Sequence, residues 1–254
     1  MRYFLRLAYN GKDYHGWQIQ PNANSIQQEL NKALSTLLRK EINVVGAGRT
    51  DTGVHAKEMF AHFDWEGEIE TENLIYRLNR ILPAGIAIYN LFQVQDDDHT
   101  RFSAVSRKYE YHLASFKDPF SLGTAYLFHR SLNVELMNAA AQLLIGRKDF
   151  ECFSKTGTQV HTNICTITLA KWIKKNGRLV FTIEADRFLR NMVRAITGTL
   201  LKVGLEEWNE QDILNILESK NRSQAGESVP AHGLYLVEVK YPEHIEQNFE
   251  RIIQ

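Results

Sequence analysis

The stretch with the most chemical character spans residues 46–56 and reads GAGRTDTGVHA. Its glycines predict a tight loop, and Arg49 and Asp51 stand two residues apart within it. A dinucleotide-binding loop needs a glycine at the position of Asp51, and a P-loop needs Gly-Lys-Ser/Thr, so neither phosphate-binding motif is present. A carboxylate on an exposed, rigid loop is a candidate reactive group. The alternative is that Asp51 only stabilises the loop through Asx-turn hydrogen bonds.

A second stretch, residues 101–113, reads RFSAVSRKYEYHL and combines basic with aromatic side chains. Tyr109 and Tyr111 share one face of a predicted strand because they are two residues apart, and Arg101, Arg107 and Lys108 surround them. Such a mixture suits nucleic acid, since the charges bind phosphates and a ring stacks on a base. Two core tyrosines with hydrogen-bonded hydroxyls are an equally good interpretation. The sequence leaves both open.

A third stretch, residues 186–198, reads DRFLRNMVRAITG and begins a predicted helix over 188–204. On a helix continued back to Arg187, that residue, Arg190 and Arg194 have the spacing i, i+3 and i+7 and form one stripe. An arginine on a largely apolar helix needs a carboxylate partner, because an unpaired buried charge is costly. Asp51 is a candidate partner. The alternative is an exposed stripe without a partner.

Charge is distributed unevenly along the 254 residues, although the formal net charge is zero. Basic and acidic residues number 11 and 13 in 1–104, 15 and 7 in 105–205, and 4 and 10 in 206–254. The middle segment, with its excess of eight positive charges, suits a surface that binds a polyanion on one side. Lysines that simply face water are the alternative interpretation.

Metal sites, secretion and membrane spans are not indicated by the sequence. Cys152 and Cys165 belong to no zinc-like spacing, and the run DDDH at 96–99 predicts a solvated turn. His55 and His62 share no helix with a third ligand, so we assign them no metal. The chain carries no signal-peptide pattern and no stretch approaching 18 apolar residues, so we expect a cytoplasmic protein without a membrane span.

Hydrophobic periodicity predicts the element order β-α-β-β-α-β in the first hundred residues and much the same order afterwards. The predicted elements include a helix that begins after Ser25, a strand around 42–48, a helix over 72–82 that ends at Pro83, a helix over 134–146 and a hairpin at Asn176-Gly177. We therefore predict an α+β fold made of two similar ferredoxin-like or RRM-like halves. The sheets are expected to be largely antiparallel, with a cleft between the halves. The N-terminal half, 1–104, carries the Asp51 loop, and the C-terminal half, 105–254, carries the Tyr109 strand and the Arg194 helix.

Taken together, these stretches resemble the tRNA pseudouridine synthase A family. The resemblance covers nearly the whole chain, and GRTDTGVHA is its most specific part. The other matching motifs are YNGKDYHGWQIQ, HTRFSAVSRKYEY, DFECFS, FLRNMVR and PAHGLYLVEVKYP.

The resemblance implies an isomerase that converts uridine to pseudouridine at positions 38 to 40 of tRNA, without a cofactor and as a homodimer. It implies that Asp51 is the catalytic aspartate, that Tyr109 lies against the target base, and that Arg194 pairs with the aspartate. Arg49 matches the arginine that takes the place of the flipped uridine in the RNA stack.

Two other functions stay open at the level of the residues. One is a non-catalytic RNA-binding protein with two RRM-like halves, although the sequence has no RNP1-like aromatic octapeptide. The other is an enzyme that binds a nucleotide phosphate on the glycine loop, against which the charge of Asp51 argues.

Overall fold

The computed structural model describes residues 1–157 and 161–249, which form a mixed α+β protein with mostly antiparallel β structure. Two compact units divide it. The first consists of Met1–Val105 together with the described residues from Tyr235 onward, and the second is Ser106–Leu234. The strands are β1 Arg2–Tyr9, β2 Val45–Gly46, β3 His55–Asp64, β4 Ile86–Val94, β5 Ser106–Ala114, β6 Tyr126–Leu127, β7 Gly146–Asp149, β8 Ile164–Lys175, β9 Arg178–Ala185 and β10 Leu234–Lys240. The α-helices are α1 Ile26–Leu38, α2 Thr71–Ile81, α3 Val134–Gln142, α4 Met192–Gly204, α5 Glu210–Ser219 and α6 Glu243–Glu246.

In the first unit β1 lies between β4 and β3 and is antiparallel to both. The short strand β2 pairs antiparallel with β3, opposite His62 and Ala61. Helix α1 begins where predicted, because the Ser25 hydroxyl accepts a hydrogen bond from the Gln28 N–H at 3.3 Å. Aromatic rings fill part of the core, and the ring centroids of Phe60 and Tyr241 lie 5.1 Å apart.

In the second unit β9 lies between β5 and β8 and is antiparallel to both. Strand β7 pairs antiparallel with the other side of β8. The hairpin predicted at Asn176-Gly177 is confirmed. Its two turn residues have φ angles of 49° and 73°, as a type I′ turn requires. The stacked rings of Trp172 and Phe181, 4.9 Å apart, lie in the core.

Three elements differ from the sequence prediction. The strand expected around 42–48 is reduced to two residues, Val45–Gly46. Helix α3 ends at Gln142 rather than continuing to Gly146, which begins β7 with φ +99°. The last strand, β10, pairs in parallel with β3 through Tyr235 and Leu236, so that residues from Tyr235 onward group with the first unit.

The arginine stripe predicted on a helix over 188–204 is wrong. Helix α4 begins at Met192, because Asn191 has φ +67° and ends the preceding non-helical segment. The Asp186 carboxylate accepts a hydrogen bond from the Arg187 N–H at 2.7 Å, a local bond that competes with helix formation. Arg187 and Arg190 therefore precede the helix, and only Arg194 lies on it.

Candidate active site

The loop between β2 and β3 carries Asp51, and backbone hydrogen bonds hold both of its ends. The Ala47 N–H donates to the Phe60 carbonyl at 2.8 Å, which ties the start of the loop to β3. At the other end the Val54 N–H donates to the Asp51 carbonyl at 3.1 Å and closes a β-turn. Gly53, the third residue of that turn, has φ +80°, a conformation that glycine adopts without strain. The carbonyl of Asp51 is thus fixed by its own turn.

The segment Asn10–Trp17 supports this loop through backbone hydrogen bonds. The Trp17 N–H donates to the Thr50 carbonyl at 3.2 Å, and the Gly53 N–H donates to the Tyr14 carbonyl at 3.3 Å. The two residues that flank the Asp51–Thr52 pair are therefore both bonded to the same neighbouring segment. Such bonds lower the freedom of the loop before any substrate binds.

Glycines permit the close approach between that segment and the loop. A Cβ atom on Gly11 would lie 2.0 Å from the Val54 carbonyl oxygen, and one on Gly16 would lie 2.4 Å from that of Thr50. A Cβ on Gly46 would lie 2.5 Å from the Trp17 ring. The sequence predicted no supporting role for this segment, although the glycines in YNGKDYHGW could have indicated a close approach of two backbones.

Side chains along the loop differ in their exposure. Thr50 is buried, and its hydroxyl lies 2.8 Å from the hydroxyl of Tyr9. Asp51 is half-buried and Arg49 is exposed. The buried threonine therefore anchors the loop at the position between the two charged residues that the sequence singled out.

Tyr109 and Tyr111 of β5 have different environments, which decides between the two interpretations for Tyr111. Tyr111 is fully buried, and its hydroxyl donates to the Pro230 carbonyl at 2.7 Å. Burial raises the pKa of the Tyr111 phenol above its ordinary value. Tyr109 is only half-buried, and its ring meets Phe188 edge to face at 5.2 Å. Tyr111 is a core residue, whereas Tyr109 is not fully buried.

Arg194 lies in the first turn of α4 and is half-buried. Its Nε donates to the Val229 carbonyl at 2.7 Å, and its own carbonyl accepts from the Val229 N–H at 3.3 Å. The Nε bond constrains the guanidinium, and the backbone bond ties the first turn of α4 to Val229. The neighbouring Pro230 carbonyl holds Tyr111, so residues 229 and 230 bind both α4 and β5.

The predicted site residues are distributed over both units. Arg49 and Asp51 share one loop of the first unit, whereas Tyr109 and Arg194 belong to the second unit. The pairing of Asp51 with Arg194 stays a prediction. Among residues 1–157 and 161–249, no three His, Cys, Asp or Glu side chains are grouped so that they could hold a metal ion.

The two thiols are buried, and burial raises the pKa of Cys152 to about 12 and that of Cys165 to about 11. At neutral pH they are protonated and weakly nucleophilic.

No helix within the described part of the chain is long and apolar enough to span a membrane.

Comparison with known proteins confirms the resemblance seen in the motifs. A family model described as tRNA pseudouridine synthase matches residues 140–242. The tRNA pseudouridine synthase A of Porphyromonas gingivalis is 52% identical over 245 residues, which cover 95% of this chain and 97% of that protein. The corresponding protein of Bacteroides fragilis is 51% identical over 246 residues, covering 96% and 98%. That of a Thermoanaerobacter species is 40% identical over 237 residues, covering 92% and 97%. The chain therefore belongs to the tRNA pseudouridine synthase A family of isomerases.

Proposed function

We propose that this isomerase converts uridines 38 to 40 in the anticodon stem and loop of tRNA to pseudouridine, with Asp51 as its essential carboxylate. The observation that carries the proposal is the half-buried Asp51 on a loop whose residues on either side, Thr50 and Gly53, are bonded to a supporting segment. A carboxylate held in this way is suited to chemistry that depends on the exact approach of one atom.

The reaction sets the demands on the site. The N1–C1′ bond breaks, the uracil rotates, and C5 bonds to C1′ while the C5 proton is lost and N1 gains a proton. This exchange of a C–N for a C–C bond involves no net oxidation or reduction, so it needs no redox cofactor. Asp51 can act as the nucleophile at C1′ or at C6, or can assist loss of the 2′ proton.

The other site residues have complementary roles in this proposal. Arg194 pairs with Asp51 and keeps the carboxylate ionised, since a nearby guanidinium favours the charged form. Tyr109 stacks on the extruded uracil and assists removal of the C5 proton. The half-buried position of Tyr109 supports its role, and the Nε hydrogen bond that constrains the Arg194 guanidinium supports the role of Arg194.

Extrusion of the uridine is part of the proposal because the target lies inside a structured stem. Unstacking and unpairing a base costs a few kcal/mol. Arg49 is exposed on the same loop as Asp51 and fills the space that the base leaves. The excess of eight positive charges in residues 105–205 supports binding of the tRNA phosphates.

We also propose that the enzyme works as a cytoplasmic homodimer. We further propose that the two units correspond to ferredoxin-like halves, close to the predicted 1–104 and 105–254 except that the described residues from Tyr235 onward belong to the first unit. The first unit supports this with β1 between β4 and β3, and with α1 and α2 as the connections that precede β2 and β4. Equilibrium sedimentation of the active enzyme at twice the mass of the 29.3 kDa chain would support the dimer.

The test is to map pseudouridine in tRNA after incubation with the wild type and with Asp51→Asn. The substitution removes the charge at almost constant size, so we expect loss of isomerisation while the tRNA Kd stays within a few-fold. Asp97→Asn is the matched control, because Asp97 is an exposed aspartate on a turn outside the proposed site. Turnover by Asp51→Asn at the rate of the control would refute the role of Asp51.

A further inference from the structure

The turn formed by residues 99–103, HTRFS, displays an aromatic ring to solvent. Phe102 is 76% exposed, and the neighbouring Arg101 is exposed as well. A single exposed apolar side chain is ordinary on a protein surface. The turn that carries Phe102, however, is fixed by an unusually complete set of hydrogen bonds.

Every backbone N–H from His99 to Ser103 has a hydrogen-bond acceptor. The imidazole Nδ1 of His99 accepts from the Arg101 N–H at 3.0 Å and from the Phe102 N–H at 3.3 Å. The His99 N–H donates to the Ser103 hydroxyl, and the Ser103 N–H donates back to the His99 carbonyl, both at 2.9 Å. The Thr100 N–H donates to His62 at 3.4 Å.

Thr100 ties this turn to the rest of the first unit. It is fully buried, its hydroxyl donates to the Val45 carbonyl at 2.9 Å, and its carbonyl accepts from the Tyr241 hydroxyl at 2.6 Å. The backbone of Phe102 is therefore held in place before a ligand arrives. Binding to a prearranged ring loses little conformational entropy.

Two neighbours hold the ring itself and leave most of it accessible. The His99 ring lies 4.4 Å from the Phe102 ring, and the Arg101 guanidinium carbon lies 5.5 Å from its centroid. Despite these contacts, Phe102 stays 76% exposed. An open aromatic ring beside a guanidinium has the chemistry that recognises a nucleobase and its phosphate.

We propose that Phe102 is a stacking platform for a nucleobase of the bound tRNA other than the target uridine. The proposal rests on the proposed function, because the base is taken to belong to the tRNA substrate. Thr100 bonds to Val45, and Val45 precedes Asp51 by six residues, a chain length that spans at most about 20 Å. The platform therefore belongs to the same unit as the Asp51 loop, and we take the stacked base to lie near the target uridine along the RNA.

The test compares tRNA dissociation constants at one fixed salt concentration for Phe102→Leu, Phe102→Trp and the wild type. Leucine keeps an apolar side chain but has no π face, so we expect a Kd roughly 5- to 150-fold higher. Tryptophan keeps the stacking face, so its Kd stays within about twofold of the wild type. Tyr76→Leu is the matched control, because Tyr76 is a 65% exposed aromatic beside an exposed arginine, Arg77, on α2.

Wild-type activity separates failure of the platform from failure of the proposed function. If the wild type forms no pseudouridine in tRNA, the proposed function fails whatever the Phe102 variants show. If the wild type is active and Phe102→Leu binds tRNA as tightly as Tyr76→Leu does, the platform is refuted. An equal rise of the tRNA Kd in Phe102→Leu and Phe102→Trp also refutes it, because the affinity would then depend on side-chain size or on folding and not on stacking.

Discussion

Replacement of Gly16 by alanine tests how far catalysis depends on the support beneath the Asp51 loop. Gly16 has φ +89°, and an added Cβ would lie 2.4 Å from the Thr50 carbonyl oxygen. Cβ atoms essentially never approach closer than 3.0 Å, so residue 16 and the Thr50 carbonyl must separate by at least 0.6 Å. Thr50 directly precedes Asp51, and a misplacement of about 1 Å can cost about 100-fold in rate. We expect kcat to fall roughly 10- to 100-fold.

Gly67→Ala is the control for the backbone strain alone. Gly67 has φ +96°, and nothing lies within 4 Å of its added Cβ. Both variants carry the cost of a left-handed alanine, roughly 1 to 2 kcal/mol of folding stability. The assay is the steady-state kcat of pseudouridine formation at saturating tRNA, with urea unfolding of both variants. Equal kcat values for Gly16→Ala and Gly67→Ala would refute the view that the contact with Thr50 positions Asp51.

Two further predictions concern stability. Tyr111→Phe leaves the Pro230 carbonyl without its 2.7 Å donor and should lower the free energy of unfolding by about 1 to 3 kcal/mol. In urea titrations Tyr76→Phe, at an exposed tyrosine of α2, should leave that free energy unchanged, and equal values for the two variants would contradict the assignment of Tyr111 to the core. Burial lowers the pKa of His62 to about 4, from the 6.5 of an exposed histidine. As the pH falls below 7, the unfolded chain therefore binds a proton that the folded chain does not, and the free energy of unfolding decreases. Between pH 7 and 5 this loss is about 2 kcal/mol, and His62→Gln should remove it; the same pH dependence in both proteins would show that another group is responsible.

Local patterns in the sequence predict most elements of this fold. Ser25 with the apolar spacing of α1, Pro83 after α2 and the Asn176-Gly177 turn each act through neighbouring residues, so they can be identified from a short window. The partner of β10 cannot be identified in this way. Its pairing with β3 joins Tyr235 to His55, residues 180 positions apart, and depends on the tertiary arrangement of the unit.

The residues of the candidate site could be predicted where the type of a single side chain indicated its chemistry. Asp51 stood out because its charge conflicts with a phosphate-binding loop, and Arg49 stood out because it lies two residues away. The start of α4 at Met192 was not predicted, because it depends on the left-handed conformation of Asn191. Few residues other than glycine and asparagine adopt that conformation. The supporting role of Gly11 and Gly16 was also missed, since a glycine that permits close approach leaves no side chain to interpret.

The geometry of the Asp51 loop couples two proposed functions. Thr50 is the buried anchor, with its hydroxyl on Tyr9 and its carbonyl on the Trp17 N–H, and it lies between Arg49 and Asp51. A shift of Thr50 must therefore move the residue proposed to replace the extruded base together with the residue proposed to attack it. If Arg49 and Asp51 have the proposed roles, one rigid anchor positions both of them relative to the RNA.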